Sequence, residues 1–353
     1  MSSPAPEART LIEQVLRDGR SMAQEYPTVF GGSASGAIVT VEERGELRAA
    51  CAIQPRTLVA GRARLRVGLI GSVVTDPAHQ NRGHGSRLLV SAEERLRAEG
   101  CALALLWADD RGFYARRGWR EIGSERDFII THEHALALPT TEHARAARAE
   151  DAARLHALYS LHERRVERAE AETRELLRGP GMTVLVNERH GVVDAYACLG
   201  RGRDLPNVIH EWGGASDGVL GLVRAHVELR RARGIGDEVY LIAPGVHGEV
   251  QGRLALAGIP STCGVLGMGK LLDPHALARS CADLLGASVR GIGTDAVEVH
   301  GPHGICVLTS EQLLDVAVAA RGEGGAAREL GLALGLDARE LPLNPFVWGL
   351  DSI

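Results

Sequence analysis

Apolar residues recur along this chain in two rhythms, and each change of rhythm marks an element. Leu11, Ile12, Val15 and Leu16 fall at helical spacing between Ala8 and about Tyr26, where Tyr26-Pro27 closes the element. Alternating or continuously apolar segments follow from Ala37 to Val41, Leu47 to Ile53 and Leu65 to Val74, parted by glycine-rich or charged turns. They predict an antiparallel meander. The last run stops at Asp76-Pro77, passes through a glycine-bearing loop and enters a helix near Ser86. Leu88, Leu89, Ala92 and Leu96 mark the helix's apolar face, with Glu93, Glu94, Arg95 and Arg97 on the polar one. Cys101 to Ala108 reads as a buried strand, a helix around Tyr114 ends at Gly118, and Asp127 to His132 supplies a last strand. A first domain should close near Leu138-Pro139.

A second round has the same order. Asp151 to Val166 is an amphipathic helix, and Met182 to Glu188, Val193 to Gly200 and Asn207 to Gly214 read as strands. Asp217 caps a helix running to Arg233, and Glu238 to Ala243 is a strand. From Pro274 the pattern gives a helix (His275 to Leu285), a hairpin (Ala296 to His300 and Ile305 to Leu308) and a helix opened by the capping box Thr309-Ser310-Glu311-Gln312. The expectation is an α/β (α+β) protein with mixed sheets and three domains, at 1–138, 139–273 and 274–353.

Composition changes this picture little. At 353 residues, 45% hydrophobic and 24% charged, the chain has an ordinary globular make-up with room for two or three cores. A net charge of -5 without long runs argues against nucleic acid and is compatible with a cationic partner. Arginine almost wholly replaces lysine, which we read as codon bias. The six cysteines are isolated, with no Cys-x-x-Cys pair and no Cys/His ligand spacing, so no metal is expected. Neither a signal-peptide core nor a membrane-length apolar run occurs, which gives a cytoplasmic expectation.

The chemistry concentrates between Val73 and Gly85, where a strand hands over to a helix start. Gly83 and Gly85 let the backbone approach a ligand, the helix's first N–H groups have no partner within the helix, and Arg82 adds a fixed charge. Together these residues suit a phosphate. A dinucleotide fingerprint fails for want of a third glycine, and a P-loop fails because the chain's single lysine is Lys270. Gln80, Gly83 and Gly85 instead match Gln/Arg-x-x-Gly-x-Gly/Ala, motif A of the GCN5-related N-acetyltransferases. The segment Phe113-Tyr114-Ala115-Arg116-Arg117-Gly118-Trp119 resembles that family's Phe-Tyr-x-x-x-Gly-aromatic block, at the usual distance. The whole arrangement resembles the "enhanced intracellular survival" acetyltransferases, which have two acetyltransferase-like domains and a sterol-carrier-like tail. The second domain has Gly213-Gly214-Ala215-Ser216-Asp217 where the motif stood, and reads as a degenerate copy that has lost the cofactor.

That resemblance implies acetyl-CoA as co-substrate and a primary amine as acceptor, on an aminoglycoside- or polyamine-like small molecule or a peptide. It carries backbone contacts to Val73, Val74 and Thr75 and pyrophosphate contacts to Asn81, Arg82, Gly83, His84, Gly85 and Ser86. Asp109 and Asp110 line the cofactor in relatives; a solvated helix entry explains them as well. It implies Tyr114 as general acid, against a purely packing role, and the carboxylate of Ile353 as base, against a structural tail. Neither nucleic acid nor membrane is an expected partner. Hexamers occur in the resembled family, so a homo-oligomer is compatible, though nothing in this chain marks a self-association surface. The alternative reading is a non-catalytic acyl-CoA-binding or sensing protein.

Overall fold

The meander read from the apolar pattern forms, with longer strands than the pattern marks. In the computed structural model, residues 6–31, 35–61, 63–141, 143–246, 248–282, 288–292, 296–318, 325–335 and 343–353 are described. The chain opens with helices α1 (Pro6–Arg17) and α2 (Pro27–Phe30) and strands β1 (Ala37–Glu43), β2 (Glu46–Ala60) and β3 (Ala63–Thr75). Helix α3 (His84–Ala98), β4 (Leu103–Leu106), α4 (Arg111–Ala115) and β5 (Arg120–Ile122) follow. Next come β6 (Glu125–Thr131), α5 (His132–Leu136), β7 (Ala144–Ala146), α6 (Ala152–Tyr159), β8 (Arg164–Val166) and α7 (Glu170–Leu176). They lead to β9 (Thr183–Arg189), β10 (Val192–Leu199), β11 (Val208–Gly214), α8 (Ser216–Ala232), β12 (Glu238–Pro244), α9 (Glu249–Leu256) and β13 (Ser261–Gly264). The last elements are β14 (Gly267–Leu271), α10 (Pro274–Ala282), β15 (Ser288–Ile292), β16 (Ala296–Gly301), β17 (Gly304–Thr309), α11 (Ser310–Val318) and α12 (Gly325–Leu334).

These elements form two compact units, Met1–Gly123 with Val265–Phe346 and Ser352–Ile353, and Ser124–Gly264 with Val347–Asp351. The division cuts across the expected boundaries at 138/139 and 273/274, and strand pairing explains why. The strand expected to close the first sheet, β6, pairs antiparallel with β12 and β13 in the second unit, where its alternate residues Phe128 and Ile130 are fully buried. The first sheet instead receives β14, which lies antiparallel between β4 and β5 and buries Met268. Burial of alternate apolar residues fixes each strand's sheet more firmly than proximity in sequence does.

In the first unit the sheet order is β1-β2-β3-β4-β14-β5, with β3 and β4 parallel and the other pairs antiparallel. Helix α3 covers one face. Its Leu88, Leu89, Ala92 and Leu96 pack with Cys51, Ile53, Ile70, Ala104 and Leu106. Each buried leucine contributes on the order of 2 kcal/mol. Helices α1 and α2 cover the other face, where Ala8, Ile12, Val29 and Phe30 meet Ala50, Ala52 and Val74. Neighbours 50, 51 and 52 on β2 thus face opposite layers, as the strand's period requires. Glu93, expected on the polar face of α3, is buried because it has two partners: it accepts from Trp119 Nε1 (3.1 Å) and pairs with Lys270 Nζ (2.7 Å). A separate antiparallel sheet, β15-β16-β17, belongs to the same unit. The capping box predicted at α11 forms, with Thr309 N donating to Gln312 Oε1 (2.9 Å) and Gln312 N to Thr309 Oγ1 (3.2 Å).

The second unit holds a sheet in the order β13-β6-β12-β11-β10-β9-β7, in which β11 and β12 are parallel. The helix expected over 151–166 divides into α6 and β8. The cause is Tyr159, whose hydroxyl donates to Val166 O and accepts from Val166 N, both at 3.0 Å, folding residues 160–166 back. The cap of α8 is Ala215, not Asp217; Asp217 lies in the first turn and pairs with Arg253 at 2.5 Å. His210-Glu211-Trp212 is buried: His210 Nε2 lies 3.0 Å from Gly200 O, and Trp212 Nε1 donates to Ile242 O (3.1 Å). Glu211 pairs with Arg168 (2.6 Å), which also meets Asp351 (3.4 Å), and the side chains of all three are at most 1% exposed. Among the described residues no helix is long and apolar enough to cross a membrane.

Candidate functional site

The opening between β3 and β4 organises the site. Their parallel ladder runs only from Val67↔Leu103 to Leu69↔Leu105, and beyond it Ile70 to Thr75 continue along an edge that β4 has left. On the other edge the register with β2 slips, from Ala50↔Val74 to Ala52↔Gly71, so that Cys51 alone stands opposite Ser72 and Val73. This is a β-bulge. Ser72 adopts φ 52°, a left-handed conformation sparsely used by residues other than glycine and a form of strain that gathers at functional sites. The bulge aims Val73 and Thr75 into the cleft and turns Val74 into the core beneath α1. Of the three residues expected to meet the cofactor here, the Val74 side chain is therefore the one facing away.

The loop after β3 is held by Asp76, whose carboxylate accepts from Ala78 N (3.0 Å) and lies 2.9 Å from His79 Nδ1. Asn81 (φ 61°) and Gly83 (φ 84°) then take left-handed turns, and Gly83 caps α3 without any side chain covering the helix start. The first helical bond is Arg87 N to Gly83 O, so the N–H groups of His84, Gly85 and Ser86 remain for a ligand. Gln80, Asn81, Gly83, His84, Gly85 and Ser86 all line a cleft of about 830 Å³. Arg82 is exposed and is not part of that wall. The His84 side chain is buried, its ring nitrogens have no hydrogen-bond partner, and Nε2 lies 4.0 Å from Glu43 Oε2.

Helix α4 forms the facing wall. Asp110 caps it by accepting from Phe113 N (3.0 Å), and both Asp109 and Asp110 line the cleft. Tyr114 also lines the cleft, its ring edge-on to Phe113 (centroids 5.0 Å apart) and to Trp119 (6.0 Å). Trp119 is tied in turn to the buried Glu93–Lys270 pair. Burial, with smaller effects from Cys51 and Asp110, pushes the Tyr114 phenol up to about 12. Burial also pushes the neighbouring Cys51 thiol up to about 12. A thiolate formed in free solution, near 8.5, would leave proton transfer from such a phenol uphill by roughly 5 kcal/mol.

The chain's last residue also reaches this site. Gly71 lies on the cleft wall, and a Cβ built on it would fall 2.2 Å from Ile353 O and 2.4 Å from Ile353 C. The Ile353 carbonyl group thus rests directly on the backbone of β3, beside the bulge, with the Ile353 side chain packed against the α1 layer. Glycine at 71 is what permits that approach.

Several lining residues were not assigned a role from the sequence, Ser72, Trp107 and Arg117 among them. Ser72 gives no signal, because a bulge is a property of register. Trp107, 37% exposed at the end of β4, reads there as the last residue of a buried strand. Arg117, quoted in the Phe113–Trp119 block without a role of its own, donates from Nε to Ser86 Oγ (3.0 Å), and its guanidinium lies 3.7 Å over the Phe113 ring. Among the described residues no cluster of His, Cys, Asp or Glu could hold a metal ion.

Solved structures with the same fold span nearly the whole chain. A probable N-acyltransferase of unknown function from Enterococcus faecalis is 12% identical with a TM-score of 0.71, over 98% of this chain and 97% of that one. A GCN5-related N-acetyltransferase from Kribbella flavida is 19% identical with a TM-score of 0.61, over 90% and 88%. Eis1 from Mycobacterium abscessus is 17% identical with a TM-score of 0.53, over 87% and 88%. Among curated proteins none matches in sequence. Residues 6–122, the stretch that supplies the bulge, the helix start and α4, match the model of the acetyltransferase (GNAT) domain.

Proposed function

We propose that the chain is an acetyl-CoA-dependent N-acetyltransferase that transfers an acetyl group to a primary amine of a small molecule or peptide. The observation that carries this reading is the Ile353 carbonyl group against Gly71, a wall residue of the cleft that Tyr114 also lines. A binding or sensing protein needs the cradle but has no use for an acid and a base on its two sides. The cradle suits the co-substrate on its own geometry: bare N–H groups at the α3 start for a pyrophosphate, and an open β3 edge for an extended amide-bearing arm. When bound, acetyl-CoA supplies the activated acyl group.

Within this reading the chain's groups divide three tasks. A backbone N–H near Val73 or Val74, at the bulge, polarises the thioester carbonyl. The Ile353 carboxylate, ordinarily near 3.5, accepts the proton of an ammonium near 10, through water or after burial has raised it. The Tyr114 hydroxyl hydrogen-bonds the departing sulfur and protonates it. The acceptor is of the aminoglycoside- or polyamine-like class or a lysine peptide, in keeping with the net charge of -5.

The test is thiol release from acetyl-CoA across aminoglycosides, polyamines and lysine peptides. Native chain is compared with Tyr114→Phe and with a chain extended beyond Ile353. Turnover that collapses in both variants while acetyl-CoA still binds is the expected result. Tight acetyl-CoA binding without release for any amine favours the sensing alternative.

A further inference from the structure

The geometry points to Arg117, on the segment after α4, as the guanidinium that grips the pyrophosphate of the co-substrate, with Ser86 holding it in place. This inference rests on the acyl-CoA reading above. It concerns a residue that the glycine-loop motif does not contain.

Arg117 is fixed from three sides. Its Nε and a terminal nitrogen both donate to Ser86 Oγ, another terminal nitrogen donates to Phe113 O, and the guanidinium plane covers the Phe113 ring at 3.7 Å. Ser86 lies in the first turn of α3, so a full positive charge sits about one hydrogen bond away from bare helical N–H groups that are themselves positive. Among the described residues no carboxylate forms an ion pair with Arg117. Glu121, the acid closest in sequence, pairs with Arg111 (2.7 Å), and Asp110 is engaged in capping α4. The guanidinium and the helix start, two positive features, face one cleft and repel each other until an anion bridges them. Because the guanidinium is already ordered, gripping that anion costs little side-chain entropy.

Arg82 offers the contrast. It is exposed and lies outside the cleft wall, so a phosphate contact from it would first require ordering a free side chain. Ser86, accepting twice from Arg117, keeps its own O–H free to donate to the same phosphate.

Isothermal titration of the full chain with CoA, 3′-dephospho-CoA and pantetheine tests the assignment in native protein, Arg117→Gln, Arg117→Lys and Arg82→Gln. We expect Arg117→Gln to weaken CoA and 3′-dephospho-CoA alike, by roughly 10- to 100-fold, and to leave pantetheine within about threefold of native protein. Arg117→Lys should recover part of the loss, and Arg82→Gln should cost less than Arg117→Gln. A loss that disappears with 3′-dephospho-CoA would move Arg117 to the 3′-phosphate and overturn the assignment. A loss that extends equally to pantetheine would reduce Arg117 to packing and also overturn it. Undiminished CoA binding by Arg117→Gln would sink this inference alone, whereas failure of native protein to bind CoA would sink the acyl-CoA reading with it.

Discussion

Replacing Gly71 by alanine separates function from stability in this fold. The added Cβ would stand 2.2 Å from Ile353 O and 2.4 Å from Ile353 C, where ordinary contact begins at about 3.4 Å, so the terminal carboxyl must retreat by more than an ångström. Gly71 does not lie in the left-handed region, so alanine fits its backbone and gains about 0.4–1 kcal/mol by restricting the unfolded chain. Against this stands the partial loss of Ile353 packing, at most about 1–2 kcal/mol for one aliphatic side chain. The two terms nearly cancel, and the melting temperature should move by only a few degrees. Activity should not be spared: displacing a catalytic group by about 1 Å costs on the order of 10²-fold. With an acceptor from the amine panel, kcat for Gly71→Ala should fall by about that factor while the Kd for acetyl-CoA stays within threefold. Full activity would show that the carboxylate is not the base. A loss of acetyl-CoA binding in step with kcat would show that Gly71 serves the cofactor and not the tail.

Tyr114→Phe should keep acetyl-CoA binding and lose about 10²- to 10³-fold in kcat. Because the phenol is pushed up to about 12, the native pH–rate profile should carry no alkaline decline from it below about pH 11. A decline near pH 9 that vanishes in Tyr114→Phe would contradict that placement. In the second unit, Glu211→Gln strips the main counter-charge from a fully buried guanidinium and should destabilise by about 3–5 kcal/mol in chemical denaturation of the full chain; a change below 1 kcal/mol would mean that Asp351 alone neutralises Arg168. Arg145, bonding the Asp151 carboxylate, holds it below the usual carboxylate range. Its contribution is therefore present above about pH 4 and lost as pH falls through the folded value, so the stability gap between native chain and Asp151→Asn should close on acidification. A gap independent of pH would refute the ion pair as its source.

What the sequence could convey follows from how local each feature is. The strand-to-helix handover at 73–86 is local, since apolar run, Pro77, Gly83 and helix face all lie within one stretch, and each was placed where the structure has it. The Phe113–Trp119 block is equally local. Features set by pairing were out of reach. The bulge at Ser72 exists because β3 and β2 slip by one, and only that slip decides that Val73 faces the cleft while Val74 faces the core. The exchange of β6 and β14 between sheets likewise depends on which core buries Phe128 and Met268. Buried charge misled once: Glu93 reads as a polar-face residue because its partner Lys270 lies far off in sequence.

The same reasoning explains how two units of similar order can differ in chemistry. In both, one parallel pair of strands parts early, after Leu69↔Leu105 in the first unit and after Ile209↔Leu241 in the second, and a long helix starts at the opening. Topology therefore provides an opening twice. What differs is charge at the helix start. In α3 the first turn is His84-Gly85-Ser86, with Arg117 bonded to it, so the local field is positive. In α8 the first turn holds Asp217, tied to Arg253 at 2.5 Å, so the helix start already has its anion and the nearby cation is spent on it. Removing that carboxylate should create anion affinity where there was none. Asp217→Ala, titrated with inorganic pyrophosphate alongside an otherwise identical Arg117→Gln chain that silences the first cradle, should gain measurable binding. If Arg117→Gln with Asp217 intact bound pyrophosphate equally well, the carboxylate would not be what separates the two helix starts.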